Sequence, residues 1–297
     1  MCGVIVDCSN PDNRDEAIKE ASDVVRAGRI VVLPTDTVYG VGADAFDEVA
    51  VAMVLAAKHR DREMPPPVLV PSPRTVDGLA TAVPMYAKIL MRQFWPGPLT
   101  LVLRAQASLA WDLGETNGTV ALRMPDDDIA LALLSEVGPM AVTSANVTGR
   151  PAATTAAQAQ EQLAGAVTTY LDGGPRTGGA ASTIVDCTGE EPVVLRHGAL
   201  PADRLREVLG ETRLHDEPAS PEEPAEDTSS TEPAEDTSST EPAETQESHA
   251  AQVADPESPG EPLPGVLPVV SARLVGSVRP TSVRVPDAAL RDLPPSR

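Results

Sequence analysis

Over the first two thirds of the chain, short runs of β-branched and aliphatic residues alternate with amphipathic or alanine-rich stretches. VIVDC at 4–8 predicts a strand. Pro11 to Gly28 predicts a helix, with Asn10 as N-cap, Pro11 at the first helical position and Gly28 at the C-terminal cap. A strand at 29–33, an extended turn through 34–43 and a helix at 47–58 capped by Asp47 follow. Strands are expected at 67–71, 99–104 and 119–123, with helices near 74–81 and 84–94 between them. A helix at 126–137 leads to a strand at 139–143, and a helix at 155–164 precedes strands at 167–171, 182–187 and 192–196. A helix at 201–209 closes the series. This alternation predicts an α/β fold with a largely buried, twisted sheet. Several strand-to-strand connections lack a helix, so the sheet is expected to be mixed.

The pattern stops near residue 213, and the charge balance changes with it. Residues 1–213 hold 18 Lys and Arg against 27 Asp and Glu, a balance of −9; residues 214–297 hold 5 against 17, a balance of −12. The nonapeptide EPAEDTSST occupies 223–231 and again 232–240, and 241–244 begins a third copy. Between 214 and 263 there are 15 acids and no Lys or Arg, a composition that buries too little apolar surface to offset ordering entropy. The expected organisation is a folded domain at 1–213, a disordered acidic Pro/Ser/Thr linker at 214–263, and an unstructured tail at 264–297.

Composition narrows the setting. Three cysteines without CxxC spacing argue against a disulfide framework or a zinc site and fit a reducing compartment. The N-terminus lacks a basic region before a long apolar run, and no window approaches 18 apolar residues, so neither a signal peptide nor a membrane span is expected. The expected location is cytoplasmic. An acidic balance lowers the expectation of non-specific nucleic-acid binding. The positive charge of the first 213 residues is 15 Arg and 3 Lys, and arginine suits bidentate phosphate or carboxylate recognition.

Candidate chemistry clusters at strand ends. PTDTVYGVGAD at 34–44 follows a strand directly, the place where open α/β sheets bind ligands, although the same residues are ordinary turn formers. Lys58 and Arg60 end a helix, where cations also suit the helix dipole without further function. Trp95-Pro96-Gly97-Pro98 reads best as a structural lead-in to the next strand. Thr119 and Arg123 share one strand face and make either an anion-binding pair or a solvated pair. Thr143-Ser144-Ala145-Asn146 can contact phosphate or form an Asx turn. Asp172 to Gly179 is a glycine-rich loop leading to Ser182, without a Walker A sequence. Asp126, Asp127 and Asp128 read as helix capping rather than a metal cluster. The four histidines lack metal-ligand spacing, and no Ser/His/Asp or Cys/His arrangement is evident.

In order, GRIVVLPTDTVYGVGADA, Lys58-His59-Arg60, WPGPLTLVL, TVALRMP, TSAN, STIVDCT and VLRHGAL make residues 10–210 resemble the YrdC-like family, the threonylcarbamoyl-AMP synthases. The resemblance implies a YrdC-like single domain with a concave binding cleft. It implies that L-threonine, bicarbonate and ATP, with Mg²⁺ on the nucleotide, give threonylcarbamoyl-adenylate and pyrophosphate. The product would serve threonylcarbamoyladenosine formation on tRNA by partner transfer proteins. By similarity, Thr37, Arg123 and Ser182 match positions that hold L-threonine. Arg60, Thr119, Ser144, the backbone near Ala152, and Arg196 match positions that contact ATP. Lys58, Arg60 and Asn146 are expected at the reacting centre, with no protein-held metal. Two positions depart from the family pattern: Met64 replaces a polar residue near ATP, and Leu69 stands where a histidine near threonine is common. The family's long form adds a second folded domain; the acidic repeat makes this chain read as the short form with an appended tail. The alternatives are a carbamoyl-transfer module, which elsewhere comes with additional domains, and a module binding tRNA or double-stranded RNA without catalysis, which calls for a broad basic surface.

Overall fold

Local signals set the element boundaries. A computed structural model describes residues 3–177 and 179–216. Strand β1 (Val4–Asp7) leads into helix α1 (Pro11–Arg26), whose first turn is closed by the Asn10 side chain accepting the Asp12 amide at 3.0 Å. Gly28, at φ +70°, turns the chain out of that helix toward β2 (Val31–Leu33) and β3 (Gly40–Asp44). Asp47 caps α2 (Glu48–Ala57) by accepting the Val49 and Ala50 amides, both at 3.0 Å. Then come β4 (Val68–Leu69), α3 (Val76–Leu79), α4 (Met85–Phe94), β5 (Leu99–Arg104) and β6 (Thr119–Arg123). The series ends with α5 (Asp128–Val137), β7 (Met140–Ser144), α6 (Ala156–Leu163), β8 (Thr169–Asp172), β9 (Thr183–Asp186), β10 (Val193–Arg196), α7 (Ala202–Leu209) and β11 (His215–Asp216).

Three expectations need adjustment. The strand expected at 67–71 shrinks to two residues because Pro65, Pro66 and Pro67 donate no amides to a ladder; the Pro67 carbonyl still accepts the Val142 amide at 2.8 Å. The helix expected at 74–81 divides into a 3₁₀ turn at Pro73–Thr75 and the short α3, which contains Gly78, a poor helix former. The boundary expected at 213 falls too early. Leu214 packs on the core, the His215 amide donates to the Pro192 carbonyl at 3.0 Å, and Arg206 grips Asp216 at 2.6 Å. Residues 214–216 are therefore part of the folded domain, and the remaining tail expectations lie outside the described residues.

The sheet is mixed, as expected, with strand order β1-β8-β2-β3-β7-β4-β6-β5-β9-β10-β11. Parallel pairs (β1·β8, β2·β8, β4·β6, β5·β9, β10·β11) are interspersed with antiparallel ones. Its two halves are covered differently. Around β2, period-2 alternation sends Val31 and Leu33 into a core with α1 and α5, while Ile30 and Val32 enter another with α2 and α6. Both faces there are buried. In the β6–β5–β9 half, Leu99, Leu101, Leu103, Val120, Leu122 and Val185 pack toward α4 and α7. The alternate residues Thr100, Val102, Thr119, Ala121, Arg123 and Ile184 face a cavity instead. Burying all of that apolar side stabilises the half-covered sheet by roughly 1.5–3 kcal/mol per large side chain.

Gly198, between β10 and α7, fixes the rim of this uncovered face. A Cβ there would overlap the Ala181 carbonyl oxygen and lie 2.5 Å from the Ser182 carbonyl carbon. Backbone, not a flexible side chain, would have to move. Gly198→Ala is expected to destabilise the domain by about 1–3 kcal/mol, the usual range for overpacking, as read from urea unfolding. An unchanged midpoint would mean the 181–182 backbone yields freely.

Candidate active site

A cavity of about 450 Å³ opens on the uncovered sheet face, within the size range of ligand pockets. It is ringed by hydroxyls from Thr35, Thr37, Thr100, Thr119, Ser144 and Ser182, and by three arginines, Arg60, Arg123 and Arg196. No Asp or Glu is among the described residues that line it. Met64, Leu69 and Leu195 supply part of an apolar wall. On β10, the consecutive residues Leu195 and Arg196 both reach the cavity because the register with β9 shifts between Val194 and Arg196, a bulge that breaks the alternation.

Arg123 lies at the cavity floor and is only 6% exposed. Its Nε donates to the Gly97 carbonyl at 3.0 Å, Nη1 to Thr37 Oγ1 at 3.1 Å and Nη2 to Asp36 Oδ1 at 2.5 Å. Burial, and the charge of Arg196 nearby, push its pKa down, while Asp36 opposes the shift. The Trp95–Pro96 peptide is cis, and Trp95 is buried with its indole N–H on the Leu99 carbonyl at 2.7 Å. That packing bears out the structural reading of the turn. The same turn also delivers the Gly97 carbonyl to Arg123.

Lys58 is not solvated at its helix end: it is 3% exposed. Its ammonium donates to the Ser144 carbonyl at 2.6 Å, the Asn146 carbonyl at 2.8 Å and Asn146 Oδ1 at 3.0 Å. The Asn146 amide donates in turn to the Val147 and Arg150 carbonyls, at 3.0 and 2.6 Å. Together they fix the turn after β7, and with it Ser144 at the cavity wall. Burial first, then the charge of Arg60, lowers the Lys58 pKa to about 8. Arg60 donates to Thr143 Oγ1 at 3.1 Å, and its buried Nε meets no hydrogen-bond partner. Burial and Arg196 lower the Arg60 pKa as well. The charges of Arg60 and Arg196 thus oppose each other across this wall, and an anion placed between them would be favoured.

On the opposite wall Thr100 Oγ1 and Ser182 Oγ share a hydrogen bond of 2.8 Å, and Arg196 Nη2 donates to the Ser182 carbonyl at 2.8 Å. The glycine-rich loop is anchored at its start. Tyr39 donates its hydroxyl to Asp172 Oδ1 and to the Gly174 carbonyl, at 3.0 and 2.8 Å, and burial with Asp172 nearby raises its pKa. Arg176 stacks over the Tyr39 ring at 5.7 Å and pairs with Asp127 at 3.1 Å. Asp127 also caps α5 through the Ile129 and Ala130 amides, in line with a capping reading of 126–128.

Of the residues singled out in the sequence, Thr37, Arg60, Thr119, Arg123, Ser144, Ser182 and Arg196 converge on the cavity. Lys58, Asn146 and Ala152 do not border it. Asp36, Thr100 and Thr143 lie within segments singled out in the sequence but carry no role of their own there. Thr100 was visible as a polar interruption of the apolar run LTLVL, and Asp36 as a charge among turn formers.

Cations and hydroxyls without a carboxylate among the described lining residues, on an α/β sheet, make a site suited to positioning and neutralising charged substrates rather than to a nucleophile–base pair. The Sua5_yciO_yrdC family model, described as "Telomere recombination", matches residues 23–198, and the chain belongs to this family. A Mycobacterium tuberculosis H37Rv relative, provisionally named a threonylcarbamoyl-AMP synthase, is 53% identical over 204 residues, 69% of this chain and 94% of its own. The threonylcarbamoyl-AMP synthase of Pyrococcus abyssi is 41% identical over 67% of this chain, which spans only 58% of that protein. Among solved structures, P. abyssi Sua5 complexed with L-threonine matches with a TM-score of 0.68 at 38% identity, over 71% of this chain and 62% of its own. Escherichia coli YciO matches at 0.61 and 25%, over 68% and 97%.

The Lys58 environment predicts a pH signature. Its folded pKa, about 8, lies below its value of 10.5 in an open chain, so between these values the unfolded chain binds more protons. Stability from this group therefore rises with pH across that window. The stability of wild type relative to Lys58→Met should increase from pH 8 to pH 10 in urea unfolding. A difference independent of pH would remove the buried-ammonium account.

Proposed function

We infer that the chain is a threonylcarbamoyl-AMP synthase. L-Threonine, bicarbonate and ATP give L-threonylcarbamoyl-adenylate, pyrophosphate and water. The threonine amine takes up the bicarbonate carbon with loss of water, and the resulting carbamate oxygen attacks the α-phosphorus, expelling pyrophosphate. The observation that carries this reading is the cavity of three arginines without a carboxylate, in a chain of formal charge −21. Such a site suits two anionic substrates held side by side.

In this reading Arg123, with Thr37 and Ser182, takes the threonine carboxylate through N–H donors left after its protein bonds. Arg60, Thr119, Ser144 and Arg196 receive ATP, and the backbone near Ala152, outside the cavity lining, would meet only a part of the nucleotide that extends beyond it. Lys58 and Asn146 act as positioning residues, through the turn that presents Ser144. Mg²⁺ would enter as part of the nucleotide substrate. The adenylate would be consumed by proteins that transfer threonylcarbamoyl to tRNA, and the cytoplasm is the compartment such a role implies. No helix among the described residues is long and apolar enough to cross a membrane.

The purified full-length chain should catalyse ATP–pyrophosphate exchange that depends on both threonine and bicarbonate; folded protein without exchange would end the synthase reading. Arg123→Ala, checked for folding by thermal melting, should weaken threonine binding by about 30-fold or more, as expected for truncating one partner of a buried charge pair. ATP binding should fall far less. Equal losses in calorimetry would reassign Arg123.

A further inference from the structure

Asp36 sits at the centre of the loop after β2, between the two threonines Thr35 and Thr37 that line the cavity, yet it does not line the cavity itself. Its Oδ1 accepts from Arg123 Nη2 at 2.5 Å and from the Asp126 amide at 3.0 Å. Its Oδ2 is buried and meets no hydrogen-bond partner among the described residues. The two side chains are 7% and 13% exposed, so this is a nearly dry ion pair using one carboxylate oxygen. A bidentate pair would satisfy both oxygens and both terminal nitrogens, and is the geometry arginine and carboxylate favour. Here Nη1 goes to Thr37 instead. An ionic group buried with one oxygen unsatisfied is a poor device for stability alone, since a neutral side chain of similar shape would be less costly to bury.

We propose that Asp36 is a specificity-determining, positioning residue: by cancelling the charge of Arg123 it makes that end of the cavity accept a singly charged carboxylate and refuse phosphate. The inference rests on the reading of the cavity as the threonine and ATP site. Three of the five N–H donors of Arg123 are engaged, which leaves one on each terminal nitrogen. Two donors suit two oxygens of either a carboxylate or a phosphate, so donor geometry does not choose between them. Charge does. A carboxylate needs little beyond the two hydrogen bonds, whereas a polyphosphate depends on net positive potential, which Asp36 removes here. At the Arg60 end the balance is opposite: Arg60 has no carboxylate partner among the described residues, while the charge of Arg196 is felt by both Arg60 and Arg123 and does not set the difference between the ends. The cavity is then graded from a net cationic end to a neutralised one. That grading prevents pyrophosphate, or a second nucleotide, from occupying the amino-acid end.

The test is a competition pattern. In the wild-type full-length protein, inorganic pyrophosphate should compete with ATP and not with L-threonine. Asp36→Asn keeps an oxygen acceptor for Arg123 but removes the charge. In that variant pyrophosphate should also compete with threonine, and its affinity relative to that of threonine should rise on the order of tenfold or more, read by calorimetry for each ligand separately. Asp36→Glu should restore the wild-type ratio, which a purely structural role for the carboxylate would not require. The inference falls if Asp36→Asn leaves the ratio unchanged, or if wild-type pyrophosphate already competes with threonine. The wild-type pattern decides even where the variants fail to fold. Wild-type protein that binds neither threonine nor ATP would overturn the functional reading itself, a result distinct from an active enzyme whose ratio is insensitive to Asp36.

Discussion

A guanidinium held almost out of water imposes more order on this fold than any other group. Arg123 must replace its lost hydration with fixed partners, and it draws them from chain segments 26, 86 and 87 residues away: the Gly97 carbonyl, the Thr37 hydroxyl and the Asp36 carboxylate. Meeting those demands places the cis-proline turn and the loop after β2 against β6 at once. The floor of the cavity is where these three segments meet. Removing any partner leaves a buried charge less satisfied, so the arrangement is cooperative.

That demand could be met only because the sheet is asymmetrically covered. Around β2 helices close both faces, and the strand is uniformly apolar. In the β6–β5–β9 half, α4 and α7 cover one face, and alternation leaves Thr100, Thr119, Arg123 and Ile184 on the other. A sheet face without a helix would normally meet water. Here it is enclosed by the proline-rich segment before β4 and by the bulged β10, which turn it into a concave, partly dry surface. Electrostatic interactions strengthen in such a place, and the mutual repulsion of Arg60, Arg123 and Arg196 is correspondingly felt.

The sequence made the α/β class, the mixed sheet and the capped helices legible because their signals are local: Asn10, Asp47 and Asp127 each announce a helix start and each caps one. What failed to show was set by distant partners. Lys58 at a helix end resembles any solvated lysine, since its acceptors lie 86 and 88 residues on. Asp36 among turn formers resembles a turn residue, because its meaning depends on Arg123. Strand β11 has two residues and too little pattern to detect; it exists because β10 offers an edge and Arg206 a cation. The set of cavity residues came from ordered motifs rather than periodicity, and seven of those named converge.

Met64 and Leu69, the two positions expected to depart from the family pattern, lie apart from the charged groups. Met64 and Leu69 belong to the wall formed by the segment before β4 and by β4 itself, whereas the charges come from the end of α2, from β6 and from β10. Leu69 pairs in register with Arg123, but as a strand neighbour held by backbone ladders, and its side chain is not among the partners of the guanidinium. Replacing a polar side chain on that wall therefore alters shape and dryness while leaving the anchors of Arg60 and Arg123 in place. The wall at Met64 and Leu69 is separable from anion recognition because it is carried by other segments than Arg60, Arg123 and Arg196.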